Sequence, residues 1–435
     1  MRAALCAVLL AFSGSAAART QEDTGPSEMV PKRDFPTSVQ QAPKEDDTPT
    51  VIRWMIRPLK RGMFIRLPIM DTDPNRGVTI GAMPIAVIQG KSDDRIRQIH
   101  APSLTYNKNF SVVPTYRYYY YPQEDASLIL RGSIAKYENE ALGEYEDGSF
   151  LGTQIDLRGR VQYNTDAGQR FYGFGPDSRK LAEANYRESL FQTRLGAGHP
   201  LAEGSKWRAR LSSHFQASRF TNGPIPNLPN FTATYPGQAT ERRQQVHETR
   251  LAVDYDTRDH AITTGKGNFF QVFGESAVRG FMSQYDYSRW GVEGKTFIPW
   301  PSDAGKVFAA QVKMEQLTGP AAPPFWLQSR LGGKYSLRAY GDGRYVDRGM
   351  GVVNLEQRVR LFEHKMAGVT TEFQAAPFAG AGTVFDSPEG AQFKHLRTVV
   401  GAGIRAVAKP QVVGSVDFGV GREGLSVFMD INYSF

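Results

Sequence analysis

From about residue 51 to the end of the chain, short runs of residues alternate between apolar and polar side chains. In 250–256, Leu251, Val253 and Tyr255 lie on one face and Arg250, Asp254 and Asp256 on the other, and 308–315 repeats the pattern. Clusters of Gly, Pro, Asn and Asp separate these runs, and no apolar stripe with a period of 3.6 residues persists over a dozen positions. A period of two predicts β-strands, because successive side chains of a strand point to opposite faces.

The first 50 residues have a different character. Arg2, the apolar run 3–12 and the small residues 13–18 together predict a secretory signal peptide, 1–18, that is cleaved after Ala18. Residues 19–50 are polar and rich in Pro, Asp, Glu and Gln, which is typical of a short disordered leader. The sequence therefore predicts three segments, with 51–435 as the folded domain.

Composition excludes several classes of protein. The 435 residues include one cysteine, Cys6, so a disulfide framework or a thiolate metal site is excluded. The mean hydropathy is −0.41 and no run of about 18 apolar residues occurs, which excludes a helical membrane bundle. The formal net charge is +8, but export without cysteine in the mature chain argues against cytosolic functions, including nucleic-acid binding.

Alternation over this length fits a soluble β-sandwich or a transmembrane β-barrel. Three features favour an antiparallel barrel in the outer membrane of a Gram-negative bacterium: the export signal, the absence of a helical segment, and the tyrosines and phenylalanines at strand ends. At roughly 20–25 residues per strand and its connection, the domain provides roughly 15–19 strands, and an even number is expected.

The second half of the chain resembles the BamA/TamA-type outer-membrane barrels, the bacterial surface antigen superfamily. The segments that carry the resemblance are VDYDTRD at 253–259, LGGKYSLRAYGDGRYVDRGMGVVNLEQRVRL at 331–361 and APFAGAGTVFD at 376–386. The segments 66–85 and 170–179 resemble members of this superfamily that lack POTRA modules. The resemblance implies an all-β fold, a transmembrane barrel of 16 strands.

The resemblance also implies a loop that folds back into the lumen. Leu337, Arg338, Ala339 and Tyr340 occupy the place of the family's (V/L)-R-G-(F/Y) motif, and Glu356 is the implied carboxylate partner of Arg338. A guanidinium in a lumen needs such a partner because it is always charged. The chain departs from the pattern at Ala339, which replaces a glycine, and at Gly380, where a second wall aspartate is usual.

The last strand ends on Tyr433 and Phe435, in the same register as Leu425 and Val427. A terminal aromatic on the lipid-facing register resembles the signal that the outer-membrane assembly machinery reads. We therefore expect Tyr433 and Phe435 to form a C-terminal assembly signal.

No catalytic, cofactor or metal site is predicted, and we expect the protein not to be an enzyme. Ser212, Ser213 and His214 are adjacent and face opposite sides of a strand, and no acidic residue evidently orients the histidine.

The expected function is to assist insertion or translocation of polypeptides at the outer membrane; the alternative is a channel or structural barrel without a protein client. The expected partners are outer-membrane lipid and lipopolysaccharide, the assembly machinery and a polypeptide client.

Overall fold

The fold is described from a computed structural model. The structure describes residues 56–435, except 92–94, 124, 239–241, 262, 321–322, 367–368, 409–411 and 432. The predicted signal peptide (1–18) and the predicted leader (19–50) lie outside the described residues.

The described residues form 22 strands, one short α-helix at Phe231–Thr234 and five 3-10 turns of three residues each. In chain order the strands are β1 (Ile56–Leu59), β2 (Gly62–Asp73), β3 (Gly77–Gln89), β4 (Ile96–His100), β5 (Ser103–Asn107), β6 (Ser111–Tyr120), β7 (Ala126–Ile134), β8 (Asn139–Asp147), β9 (Asp156–Phe171), β10 (Ala184–Pro200), β11 (Trp207–Asn222), β12 (Gln244–Asp256), β13 (Gly267–Ala277), β14 (Tyr287–Trp300), β15 (Asp303–Thr318), β16 (Ser329–Leu331), β17 (Tyr345–Asp347), β18 (Gly349–Met366), β19 (Val369–Phe385), β20 (Arg397–Ala408), β21 (Val412–Gly421) and β22 (Gly424–Ile431).

The strands close into an antiparallel barrel of 18 strands, and the expected number of 16 is wrong. Strands β4 and β5 both pair with β3 and β6, so they form one interrupted strand of the wall. Strands β16 and β17 pair with each other in a separate sheet, and β1 pairs with β2. Closure brings the first long strand, β2, against the last, β22.

The alternation of side chains has the predicted period. On β12, Leu251 is exposed on the outer face while Asp254 on the inner face is 1 % exposed. On β15, Val312 is exposed and Glu315 is 1 % exposed. The outer surface is therefore apolar and the lumen is lined by charged groups, as in a barrel that faces lipid. None of the helices in the described ranges is long and apolar enough to span a membrane.

The two ends of the barrel differ. One end, which we call the loop rim, carries the long connections 172–183, 223–243, 319–348 and 386–396. The opposite end, the turn rim, carries short connections such as 201–206 and 301–302. In outer-membrane barrels the long loops are extracellular and the short turns periplasmic.

Two of the long connections close the barrel at the loop rim. Phe231 from 223–243 and Phe325 from 319–348 lie 5.5 Å apart, measured between ring centroids. They belong to a buried cluster, the apolar cap. Its other members come from the same connection 319–348 (Trp326, Leu327 and Val346) and from the loop-rim ends of the wall strands: Phe171, Ala184, Tyr186, Phe220, Val246, Ala277, Tyr287 and Leu317.

The seam between β2 and β22 is the weakest junction of the wall. Among the described residues it registers one residue pair, Thr72 with Val427, and the Thr72 hydroxyl donates to the Val427 carbonyl over 3.4 Å. By contrast, β2 pairs with β3 along its whole length. Toward the turn rim, β1 takes the free edge of β2, where Arg57 pairs with Phe64.

Candidate functional site

The connection 319–348, which we call the luminal loop, turns into the barrel and packs against the wall. Its tip fits there because the wall lacks side chains opposite it: a Cβ on Gly419 of β21 would lie 1.9 Å from the Arg338 carbonyl oxygen. A Cβ on Gly421 would lie 2.8 Å from the Ala339 Cβ. The two wall glycines thus provide the close approach that a glycine in the loop motif would otherwise allow.

Arg338 is fully buried at the tip of the luminal loop. Its Nη1 lies 2.6 Å from Glu356 Oε2 on β18 and 3.5 Å from Asp417 Oδ2 on β21. The guanidinium also stacks on Phe378, with its Cζ 3.6 Å from the ring centroid. One loop side chain therefore joins two wall strands through charge-assisted contacts.

Two further arginines complete the group that we call the ionic cluster: Arg338, Glu356, Arg358, Arg405 and Asp417. Arg405 Nη2 on β20 lies 3.2 Å from Glu356 and 2.7 Å from Asp417. Arg358 Nε lies 3.1 Å from Glu356 Oε1. All five side chains are at most 3 % exposed, so each charge depends on its neighbours in place of water.

The last three residues, 433–435, which we call the final segment, leave the wall and enter the lumen. Ser434 Oγ donates to Asp417 Oδ2 over 3.0 Å and accepts from Arg338 Nη1 over 3.2 Å. Arg358 Nη2 donates to the Phe435 carbonyl oxygen over 3.0 Å. The final segment therefore contacts the luminal loop through the ionic cluster.

The inward turn differs from the lipid-facing register expected for Tyr433 and Phe435. Tyr433 is 8 % exposed, its hydroxyl donates to Gln374, and Arg358 stacks on its ring. Antiparallel continuation of the Thr72–Val427 pair would bring residue 435 opposite Phe64, but Phe64 already pairs with Arg57 of β1. The final segment therefore turns inward for two reasons. β1 already occupies the edge of β2 on which it would pair, and the Arg358 guanidinium contacts it in the lumen. Recognition of these aromatics by an assembly machinery remains a prediction.

The other motif residues anchor the luminal loop to the wall. Leu337 and Tyr340 are buried, and the Tyr340 hydroxyl donates to the Thr398 carbonyl over 3.3 Å. The Ala339 carbonyl accepts from Ser426 Oγ over 2.9 Å. Burial raises the pKa of the Tyr345 phenol in β17 above its usual range, so this ring stays neutral.

Asp417, Arg405 and Arg358 are the members of the ionic cluster that sequence reasoning missed. A second wall carboxylate was sought at Gly380, but a Cβ there would lie 2.6 Å from Asn354 Oδ1. Asp417 supplies the carboxylate from β21 instead. The sequence does place Asp417 on the luminal face of a strand, because Ser415, Asp417 and Gly419 alternate with the apolar residues of β21.

The residues considered for hydrolysis are divided between two faces of the wall. Ser213 Oγ lies 2.8 Å from His247 Nε2 on the outer face. His214 points into the lumen, where its Nδ1 lies 2.7 Å from Glu248 Oε2. The serine and the carboxylate thus contact different histidines. No group of three or more metal-ligating side chains occurs within the described ranges.

Comparison with known proteins identifies the barrel. The Omp85 superfamily domain matches residues 126–420. The structure of BamA from Haemophilus ducreyi lacking POTRA domains 1–3 has a TM-score of 0.52 at 15 % identity, over 84 % of this chain and 73 % of that one. CdiB from Escherichia coli has a TM-score of 0.51 at 12 % identity, over 80 % and 66 %. No curated protein sequence matches the chain.

A closed antiparallel barrel with an apolar outer face and a loop locked inside its lumen defines an outer-membrane β-barrel. The chain belongs to the Omp85 superfamily, because the family domain matches more than half of it. The resemblance to BamA-type barrels is thereby confirmed.

Proposed function

We propose that the protein assists insertion or translocation of polypeptides at the outer membrane. The observation that carries this proposal is the β2–β22 seam, which registers a single residue pair within the part of the chain that the structure describes. A strand edge with unpaired backbone groups can pair with an incoming strand. The two similar structures, BamA and CdiB, support the proposal by their fold alone.

The final segment connects the seam to the lumen. It continues from β22, whose edge forms the seam, and it contacts Arg338 and Arg358 in the ionic cluster. If β22 moved away from β2, these contacts would be strained or lost. The luminal loop therefore favours the closed seam, and its release favours opening, because coupling between two sites is reciprocal.

A disulfide across the seam tests this mechanism. Thr72 and Val427 are register partners, and opposing strand positions lie close enough for a disulfide bond. Cys6 is the only native cysteine, so Thr72→Cys with Val427→Cys introduces one reactive pair. We expect that oxidation abolishes function, that reduction restores it, and that quantitative proteomics of outer membrane and medium shows loss and recovery of specific barrel or secreted proteins.

The matched control places the two cysteines at Val253 and Val272, which are partners on the permanently paired β12 and β13. The control should retain function when oxidised. A seam variant that functions when fully oxidised would contradict lateral opening. A proteome that is unchanged when the gene is deleted would favour the alternative, a channel or structural barrel, and conductance would then decide between those two.

A further inference from the structure

The outer face of the barrel has a layered composition between its two rims. On β11, Trp207 lies at the turn rim, Leu211 in the middle, Phe215 above it and Arg219 near the loop rim, all on the outer face. Twelve residues separate Trp207 from Arg219, which is about 40 Å along a strand and about 30 Å at the tilt of such barrels. Arg219 thus lies just beyond the apolar band, at the level of lipid headgroups.

Aromatic pairs mark the same two levels on the neighbouring strands. Trp207 stacks against Tyr255 of β12 with ring centroids 4.9 Å apart, at the turn rim. Phe191 of β10 and Phe215 lie 6.4 Å apart, below the level of Arg219. Aromatic rings on the outer face are typical of the membrane–water interface.

Four cations lie together above the upper aromatic pair. Arg187 on β10 faces outward opposite Thr221 of β11. It lies two residues along the strand from the Ser189–Arg219 pair, on the same face. Arg243 immediately precedes β12, where the register of Gln244 with Ser218 places it beside Arg219. Lys136, in the connection between β7 and β8, is the fourth cation. We call Lys136, Arg187, Arg219 and Arg243 the basic row.

One part of the basic row is held in a defined arrangement. Arg187 Nη2 donates to the Lys136 carbonyl over 3.1 Å. The Arg187 guanidinium and the Lys136 ammonium lie over the same ring, that of Tyr137, at 6.0 Å and 4.9 Å from its centroid. Tyr137 therefore holds two positive charges side by side.

Like charges on adjacent strands repel each other. Arg279, at the same rim, has a carboxylate partner, Asp286, at 3.3 Å. Within the described part of the chain, none of the four cations of the basic row has a carboxylate within ion-pair distance. The described part of the chain therefore supplies no carboxylate that compensates these four charges.

We propose that the basic row binds the phosphate groups of a bisphosphorylated glycolipid of the outer leaflet, the lipid A portion of lipopolysaccharide. From β10 to β12 the arginines span two strand spacings, about 10 Å. That separation suits two phosphates carried on a disaccharide better than one phosphodiester. The apolar face below the basic row then contacts the acyl chains. The proposal is independent of any function in polypeptide insertion.

Binding of defined lipids to the purified full-length protein in detergent, followed by native mass spectrometry, tests the site. The test variant combines Arg187→Gln, Arg219→Gln and Arg243→Gln. Each basic residue at a lipid surface contributes roughly a fivefold gain in affinity. We therefore expect the triple variant to bind bisphosphorylated lipid A about a hundredfold more weakly than the wild type. The matched control, Arg279→Gln, should bind within about twofold of the wild type because its charge is already paired.

Three other ligands separate the sources of phosphate. Dephosphorylated lipid A should bind the wild type as weakly as lipid A binds the triple variant. Phosphatidylglycerol should bind the wild type equally weakly. Millimolar inorganic phosphate should not displace lipid A. Equal binding of lipid A by wild type and triple variant overturns the proposal. If the wild type binds phosphatidylglycerol as tightly as lipid A, or if free phosphate displaces lipid A, the glycolipid assignment is overturned. A single variant, Arg219→Gln, keeps the test valid if the triple variant does not fold, and should lose about fivefold.

Discussion

At the scale of single residues, Glu356 is the centre of the site. Its carboxylate lies within 3.2 Å of three guanidiniums, those of Arg338, Arg358 and Arg405. Asp417 is the other carboxylate of the ionic cluster, so three buried cations share two buried anions. Neutralising one anion leaves buried positive charge without compensation, which is strongly destabilising.

Glu356→Gln should therefore lower the free energy of unfolding by about 3–5 kcal/mol. Arg338→Ala should act in the same direction, because it removes the hydrogen bond to Glu356 and the stacking on Phe378 that hold the luminal loop against the wall. The measurement is the temperature at which the folded form disappears on semi-native gels, together with a denaturant titration.

Glu363→Gln serves as the matched control for Glu356→Gln. It also removes a carboxylate from an arginine pair, with Arg360 at 2.8 Å, but both side chains are about 40 % exposed. Its effect should stay within about 1 kcal/mol. Equal stabilities of the Glu356 and Glu363 variants would show that the ionic cluster does not lock the barrel.

At the scale of elements, the strands were predictable and the way they close was not. The period of two identified both faces of β12 and β15, because one face contacts lipid and the other lines the lumen. The estimate from length, roughly 15–19 strands, includes the observed number, whereas the resemblance implied 16. The closure of β2 against β22 and the inward turn of residues 433–435 depend on contacts between distant parts of the chain, which alternation does not encode.

The loop motif likewise did not predict where the luminal loop packs against the wall. Ala339 departs from the family pattern, yet the loop reaches the wall because the missing side chains are on β21, at Gly419 and Gly421. These glycines form part of a formal G-x-G-x-x-G run, 419–424, that lies between two strands and is unrelated to nucleotide binding.

Gly419→Ala should displace the luminal loop, because the added Cβ would lie 1.9 Å from the Arg338 carbonyl oxygen. Trypsin should then cleave after Lys334, Arg338 and Arg344, which are buried in the native protein. Mass spectrometry of the fragments measures the cleavage rate. Gly274→Ala on β13 is the control, because a Cβ there meets nothing within 4 Å. Equal cleavage in both variants would contradict the seating of the loop on Gly419.

At the scale of the whole molecule, the barrel is closed at two levels. The ionic cluster holds the luminal loop near the middle of the wall, and the apolar cap closes the loop rim. A barrel of 16–18 strands is otherwise wide enough for an aqueous channel. Charged lumen walls alone would fit a channel, but the apolar cap opposes the passage of ions because charges are poorly solvated in an apolar constriction.

Opening the apolar cap should convert the barrel into a channel. Phe231→Ala with Phe325→Ala removes two fully buried rings from the cap, and each ring of this kind contributes about 3–5 kcal/mol to packing. The 18-stranded wall is held by its own hydrogen-bond ladders, so the variant should insert into planar bilayers and conduct severalfold better than the wild type. Phe393→Ala is the matched control, because Phe393 is 91 % exposed and lies outside the cap. A double variant with wild-type conductance would show that the cap does not seal the lumen, and that the luminal loop below it is the barrier.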